Sequence, residues 1–245
     1  MKPSLTALLY AITTLLALQT MALGQSPSRE DVLQKIETKR VELQQLEEQF
    51  LAPANEDQAA YAEFLKQPDT GLIRLLPREV FDSEVYKDRK KSLTLRGGGA
   101  YYSFTRLTHE YGYGSDIGLD SNYLSVGFAG ADYGIVQKVG DVALEEVSID
   151  FPNSRFISTY KPPTFEPDVR SEQRRCSVGA SVDDTVYKNR VRVETNATYL
   201  VRSISFDRTD VLVAFRIVRM DTDGSVIILW KLLKKYPKPE LARNS

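Results

Sequence analysis

The strongest constraint on the fold lies in the C-terminal third, where three strand-like runs follow one another across short polar turns. TYLVRSISF (198–206), VLVAFRIVRM (211–220) and SVIILWKLL (225–233) are rich in β-branched and aromatic residues. Runs of this kind bounded by turn residues read as strands, and Asp223-Gly224 suits a tight hairpin turn. Alternation in the middle run puts Val211, Val213, Phe215 and Ile217 on one face. Leu212, Ala214, Arg216 and Val218 take the other, with Arg216 marking the wetter side. The last run is apolar on both faces around Trp230, which places it centrally or beneath the N-terminal helices. An antiparallel meander follows.

Upstream, from Ser92 onward, AYYSFTRL, NYLSVGF, YGIVQKV and VALEEVSIDF are further strand candidates separated by Gly-, Asp- and Asn-bearing turns. Nine of the fourteen glycines and six of the thirteen tyrosines fall between Gly97 and Gly134, so this stretch combines sharp turns with aromatic filling. Residues 161–175 (KPPTFEPDVRSEQRR) hold three prolines and many charges and read as a loop or an excursion. Short strands at this spacing predict a β-sandwich or a partly open β-barrel.

The N-terminal part has a different pattern. Residues 1–24 have the three parts of a signal peptide: Lys2, an apolar stretch from Leu5 to Leu18, and small residues Ala22 and Gly24 before Gln25. The apolar stretch is shorter than a bilayer span of about 20 residues, which favours cleavage over anchoring. No cysteine stands at the cut, so ordinary lipidation is excluded. Ser28 and Asp31 have the spacing of a capping box, opening a helix to about Phe50. Val32, Ile36, Leu43, Leu46 and Phe50 share a stripe interrupted by Lys39. The stripe serves either a homodimer through residues 28–50 or a helix folded onto its own domain. Pro53 ends that helix; Asn55 caps a second one carrying Tyr61, Phe64 and Leu65, which Pro68 stops. TGLIRLLPREVF (70–81) is a third short apolar element, completing a helical hairpin. A charged linker covers 82–91. The organisation expected is a signal peptide (1–24), a helical arm and linker (25–91), a β-rich domain (92–236) and a tail (237–245), an α+β chain overall.

Several chemistries are excluded. Export would remove Lys2 and take the formal net charge from −1 to −2, without the basic footprint of a nucleic-acid binder. The single histidine, His109, and single cysteine, Cys176, cannot build a common zinc site or an internal disulfide. No zincin, P-loop or α/β-hydrolase motif is present, and no cofactor or metal is expected. Counting twelve from Asp221 in DTDG reaches Leu232, not the Glu a calcium loop needs, so DTDG is a turn. Asp116 and Asp120 near Glu110 are the remaining calcium candidates. Gly97-Gly98-Gly99 precedes a strand rather than a helix, which indicates a bulge or close backbone approach instead of a phosphate loop.

Two function classes remain. The favoured one is an exported, non-catalytic binding or structural protein, periplasmic or extracellular, with an unknown protein or glycan ligand. Tyr101, Tyr111, Tyr113 and Tyr123, with Tyr102 and Tyr133, form either an aromatic platform or the filling of a sheet. The alternative is a cysteine-dependent transpeptidase or hydrolase: a thiolate needs a cationic neighbour and a base. The order His109, Cys176 and then Arg190 or Arg192 in a β-rich exported chain resembles the sortase transpeptidases. In that family a β-barrel presents these three groups. The chain departs from it where sortases carry Thr-Leu-x-Thr-Cys, since Cys176 stands in RSEQRRCSVG. Asn196-Ala197-Thr198 fits a glycosylation sequon. Lys231, Lys234, Lys235 and Lys238 make the C-terminal end basic.

Overall fold

A computed structural model describes residues 27–84, 92–109, 111–112, 114–152, 154–182 and 185–242. The signal peptide and most of the charged linker lie outside the described residues. Helix α1 (Arg29–Leu51) opens on the reciprocal cap anticipated at Ser28. The Asp31 amide donates to Ser28 Oγ and the Ser28 amide to Asp31 Oδ2, both at 3.1 Å. Each bond satisfies a donor that the first turn would otherwise leave unpaired. The stripe residues Val32, Ile36, Leu43, Leu46 and Phe50 are exposed, and Leu51 is buried. Among the described residues, those up to Leu46 and those from Glu47 onward form two separate compact units.

Within the second unit the chain runs through α2 (Asn55–Ala60), α3 (Ala62–Leu65), β1 (Thr70–Leu75) and α4 (Arg78–Phe81), then β2 (Tyr101–Tyr102), β3 (Ile117–Asp120), β4 (Tyr123–Ser125) and β5 (Tyr133–Gly140). There follow α5 (Arg155–Thr159), α6 (Glu166–Val178), β6 (Ala180–Val182), β7 (Thr185–Tyr187) and β8 (Arg190–Arg192). The anticipated meander closes the chain as β9 (Thr198–Ser205), β10 (Thr209–Met220) and β11 (Val226–Lys235).

The large sheet has five antiparallel strands in the order β1-β11-β10-β9-β5, and a four-stranded sheet has the order β2-β3-β4-β8. Val211, Val213, Phe215 and Ile217 share one buried cluster with Tyr102, Ile117, Leu119 and Leu124 of the small sheet. Alternation along β10 therefore builds the inner face of a sandwich. Tyr199 and Phe215 stack in it, with centroids 5.1 Å apart. The opposite face, carrying Leu212, Ala214, Leu200 and Leu229, is covered by Phe64, Ile157, Val169 and Cys176 from helices. The result is an α+β arrangement with the large sheet in the middle.

Both edges of the sandwich are laced. On one side the Val136 amide donates to the Lys188 carbonyl at 2.6 Å and the Val126 amide to that of Asn189 at 3.0 Å. On the other the Leu76 amide donates to the Gly99 carbonyl at 3.2 Å. The three-glycine stretch serves this second edge: Gly98 has φ of 59°, and a Cβ there would collide with the Phe81 carbonyl and the Asp82 nitrogen. Only glycine allows that approach.

Three segments differ from the sequence expectation, the first being VALEEVSIDF (142–151), read as a strand, which instead makes a short 3-10 turn at Leu144–Glu146 that buries Leu144. Thr70–Leu75, read as part of a helical hairpin, is an edge strand in register with the last strand, Ile73 opposite Ile228. Its Gly71 lets the Trp230 indole lie where a Cβ would sit 2.6 Å from Nε1. Residues 166–175, read as part of a loop or excursion, belong to α6 (Glu166–Val178). Pro167 sits in the first turn, where a missing N–H costs nothing. Val169 and Cys176, seven residues apart, are its buried stripe.

Candidate ligand cleft

The groups proposed for thiol chemistry are not brought together. The His109 Nε2–H donates to the Arg74 carbonyl at 2.9 Å, and the ring meets Tyr102 edge-on with centroids 5.0 Å apart. Burial lowers its pKa, so the ring stays neutral and laces the β1 edge on the small-sheet side. Cys176 lies on α6 in the helical cluster, across the large sheet from Tyr102. Burial pushes its thiol up to about 11, so it is an inert packing group rather than a nucleophile. Arg190 is on the edge strand β8, over the Tyr123 ring at 4.2 Å and 3.7 Å from Asp120. Arg192 is exposed on the same strand.

The tyrosines do not form an open platform among the described residues. Tyr101 is buried between Tyr111 and Phe128, at centroid distances of 4.4 and 5.0 Å. Tyr102 and Tyr133 are core residues. Tyr111 is half-buried beneath Arg96. Tyr123 is exposed, and Tyr113 lies outside the described residues. Adding β-strand alternation to a Tyr-rich sequence thus filled the sheet rather than its surface.

The carboxylates weighed for calcium are also dispersed. Asp221 and Asp223 are held by Arg219 and Arg74 at 2.7 and 2.9 Å. Asp120 faces Arg190, and Glu110 lies outside the described residues. Asp116 is buried within the sandwich, accepting from the Phe104 amide at 2.7 Å. Its Oδ1 has no hydrogen-bond partner. Burial pushes its carboxyl up to about 6 against the opposing pull of Ser203, Phe104 and Ser103. Asn196 is exposed in a turn with φ of 63°, whereas the Thr198 hydroxyl donates to the Val142 carbonyl.

A different site emerges on the helical side of the large sheet. A cleft of about 700 Å³ opens between the end of α5 with residues 160–162 and Thr164 on one side and Lys234 with residues 236–240 on the other, floored by Arg202 and Asp210. That volume is within the usual range for small-molecule sites. The floor is a buried ion pair. Arg202 Nη2 donates to Asp210 Oδ2 at 2.8 Å and Nε donates to Oδ1.

The pair also ties the two walls. Arg202 Nη1 donates to the Ile157 carbonyl at 2.9 Å, and its guanidinium carbon lies 3.2 Å from the centre of the Tyr236 ring. The Tyr236 hydroxyl crosses the cleft base to donate to the Ser158 carbonyl at 2.6 Å, and its amide donates to the Asp210 carbonyl at 2.8 Å. The tail is pinned further along, where the Asp207 amide donates to Pro239 and the Ala242 amide to Thr164, both at 2.8 Å. Satisfied backbone groups and a locked aromatic ring give the cleft a preformed shape.

Beyond Tyr160 lies a shallower groove of about 450 Å³ lined by Asp168, Glu172 and Arg175. Glu172 and Arg175 engage each other there: the Tyr160 hydroxyl and Arg175 Nη2 donate to Glu172 at 2.8 and 2.7 Å. The sequence carried one signal for the main site. In TYLVRSISF, Arg202 shares a strand face with Leu200 and Ile204, so its charge interrupts an otherwise apolar surface.

Comparison with protein-family models, curated proteins and solved structures finds no match for this chain. Among the described residues no helix is long and apolar enough to cross a membrane.

Proposed function

We propose that the chain is an exported, non-catalytic binding protein, periplasmic or extracellular, whose ligand occupies the cleft above Arg202 and Asp210. The observation that carries this reading is the double use of the buried pair: one guanidinium holds a wall through the Ile157 carbonyl and the other through Tyr236. A rigid concave site with a few convergent polar groups is the form a ligand site takes. The dispersal of His109, Cys176 and Arg190 removes the geometric support for the transpeptidase alternative. Export is supported by the apolar stretch and small residues of 1–24.

The test is a thermal-shift screen of small molecules against the exported protein, repeated with Thr159→Trp and Thr164→Trp, two exposed cleft-lining positions. Ligands that stabilise the parent and not the tryptophan variants support the cleft as the site. Stabilisation unaffected by both variants counts against it. N-terminal sequencing of the exported product, expected to begin at Gln25, tests the compartment.

Self-association through residues 28–50 is the second part of the reading, favoured by the exposure of Val32, Ile36, Leu43, Leu46 and Phe50 on one helix.

A further inference from the structure

Four cations and two carboxylates face the cleft: Arg202, Lys161, Lys234 and Lys238 against Asp210 and Glu240. Arg202 is matched by Asp210 and Lys238 lies 3.8 Å from Glu240. Lys161 and Lys234 have no carboxylate partner among the described residues. Lys234 instead holds its ammonium 4.6 Å from the centre of the Tyr236 ring. Both lysines are exposed. Two unmatched ammonium groups on the rim of one cleft attract a negative charge, and a flexible point charge accepts a carboxylate or a phosphate equally.

The rest of the lining selects the other end of the ligand. Tyr160, Pro162, Pro237 and Pro239 present apolar surface. The prolines have no N–H, and the Tyr236 amide is already donated to Asp210. The walls thus lack the row of free backbone donors that an added peptide strand requires. The Tyr236 ring is already engaged by Arg202 at 3.2 Å and Lys234 at 4.6 Å, which disfavours it as a stacking surface for a sugar. What fits is an apolar body with an anionic head.

Building on the cleft as the ligand site, we infer that its ligand is an amphiphilic anion, with a carboxylate or phosphate head at Lys161 and Lys234 and an apolar body along the proline-lined wall. Such an anion exists free in solution or as a lipid in a bilayer, and the test separates the two.

Titration calorimetry of the full exported protein with dodecanoate, dodecyl phosphate and dodecanol, below their aggregation concentrations, is run beside co-sedimentation with vesicles containing phosphatidylglycerol. The two anions bind saturably and dodecanol at least tenfold more weakly. Lys161→Glu and Lys234→Glu each lower anion affinity tenfold or more, while Lys235→Glu, outside the cleft lining, leaves it unchanged. Saturable binding of the monomeric anions identifies the free source; vesicle binding lost in the same two variants identifies the bilayer source. Dodecanol binding as tightly as dodecanoate overturns the anionic head and leaves the cleft as an apolar site. Failure of all probes, while another ligand is blocked by Thr159→Trp, overturns the amphiphile alone. Probe binding that survives Thr159→Trp and Thr164→Trp overturns the cleft itself.

Discussion

Arg202 and Asp210 meet in a two-pronged ion pair beneath the cleft, with side chains only 1% and 2% exposed. A pair this deep contributes little net stability, because desolvation offsets the attraction, but breaking it strands a charge. Its evident work is geometric, since the same guanidinium fastens both walls.

Arg202→Met is therefore expected to destabilise the protein by roughly 3–5 kcal/mol, leaving Asp210 buried and unpaired. Combining Arg202→Met with Asp210→Leu recovers most of that loss, because the orphaned charge is gone. The double variant still lacks the anchor for Ile157 and Tyr236, so ligand affinity stays low. Urea unfolding and titration calorimetry on the same samples check both halves.

Asp116 gives stability a pH dependence of known sign. Its carboxyl sits at about 6 in the fold against an ordinary value of 3.8. The folded state keeps a proton that the unfolded state has lost, so this group's contribution falls as pH rises through that window. The full effect is about 3 kcal/mol at most. Asp116→Asn removes it: the stability difference between variant and parent shifts in the variant's favour from pH 4 to pH 7. Urea unfolding at the two ends measures that difference.

Cys176 is expected to resist thiol reagents until the protein unfolds. With its pKa near about 11, roughly one molecule in a thousand carries a thiolate at pH 8, and access is closed as well. Labelling with a chromogenic disulfide reagent should be slow in buffer and immediate in denaturant. Fast labelling in buffer would sink the packing role.

The exposed stripe of α1 predicts a dimer that Leu43→Glu and Leu46→Glu convert to monomer without changing the stability of the β-rich unit. Sedimentation velocity across a concentration series reads this. A parent chain monomeric at every concentration would refute self-association.

Much of the large sheet was legible because β-strand alternation is written in adjacent residues: Val211, Val213, Phe215 and Ile217 declare one face without any knowledge of their partners. Ser28 and Asp31 were legible for the same reason, both partners lying within one turn. Strand β1 was not, because Thr70–Leu75 is a strand only by virtue of its pairing with 226–231. Helix α6 was obscured by Pro162, Pro163 and Pro167, whose meaning depends on where the first turn begins. The cleft was least legible. Its parts come from residues 158–162, Thr164, Arg202, Asp210, Lys234 and residues 236–240, and only tertiary structure decides that Arg202 meets Asp210 while His109 never meets Cys176.

The pairing of β1 with β11 also sets a clock. Ile73 waits for Ile228, so a nascent chain holds its first strand ready long before the ribosome supplies that strand's neighbour. The central layer cannot close until β11 has been made, and contacts so distant in sequence form slowly. Until β11 is made, the edges of β1 and β10 that it will join stay unpaired, and edges of that kind are open to wrong partners.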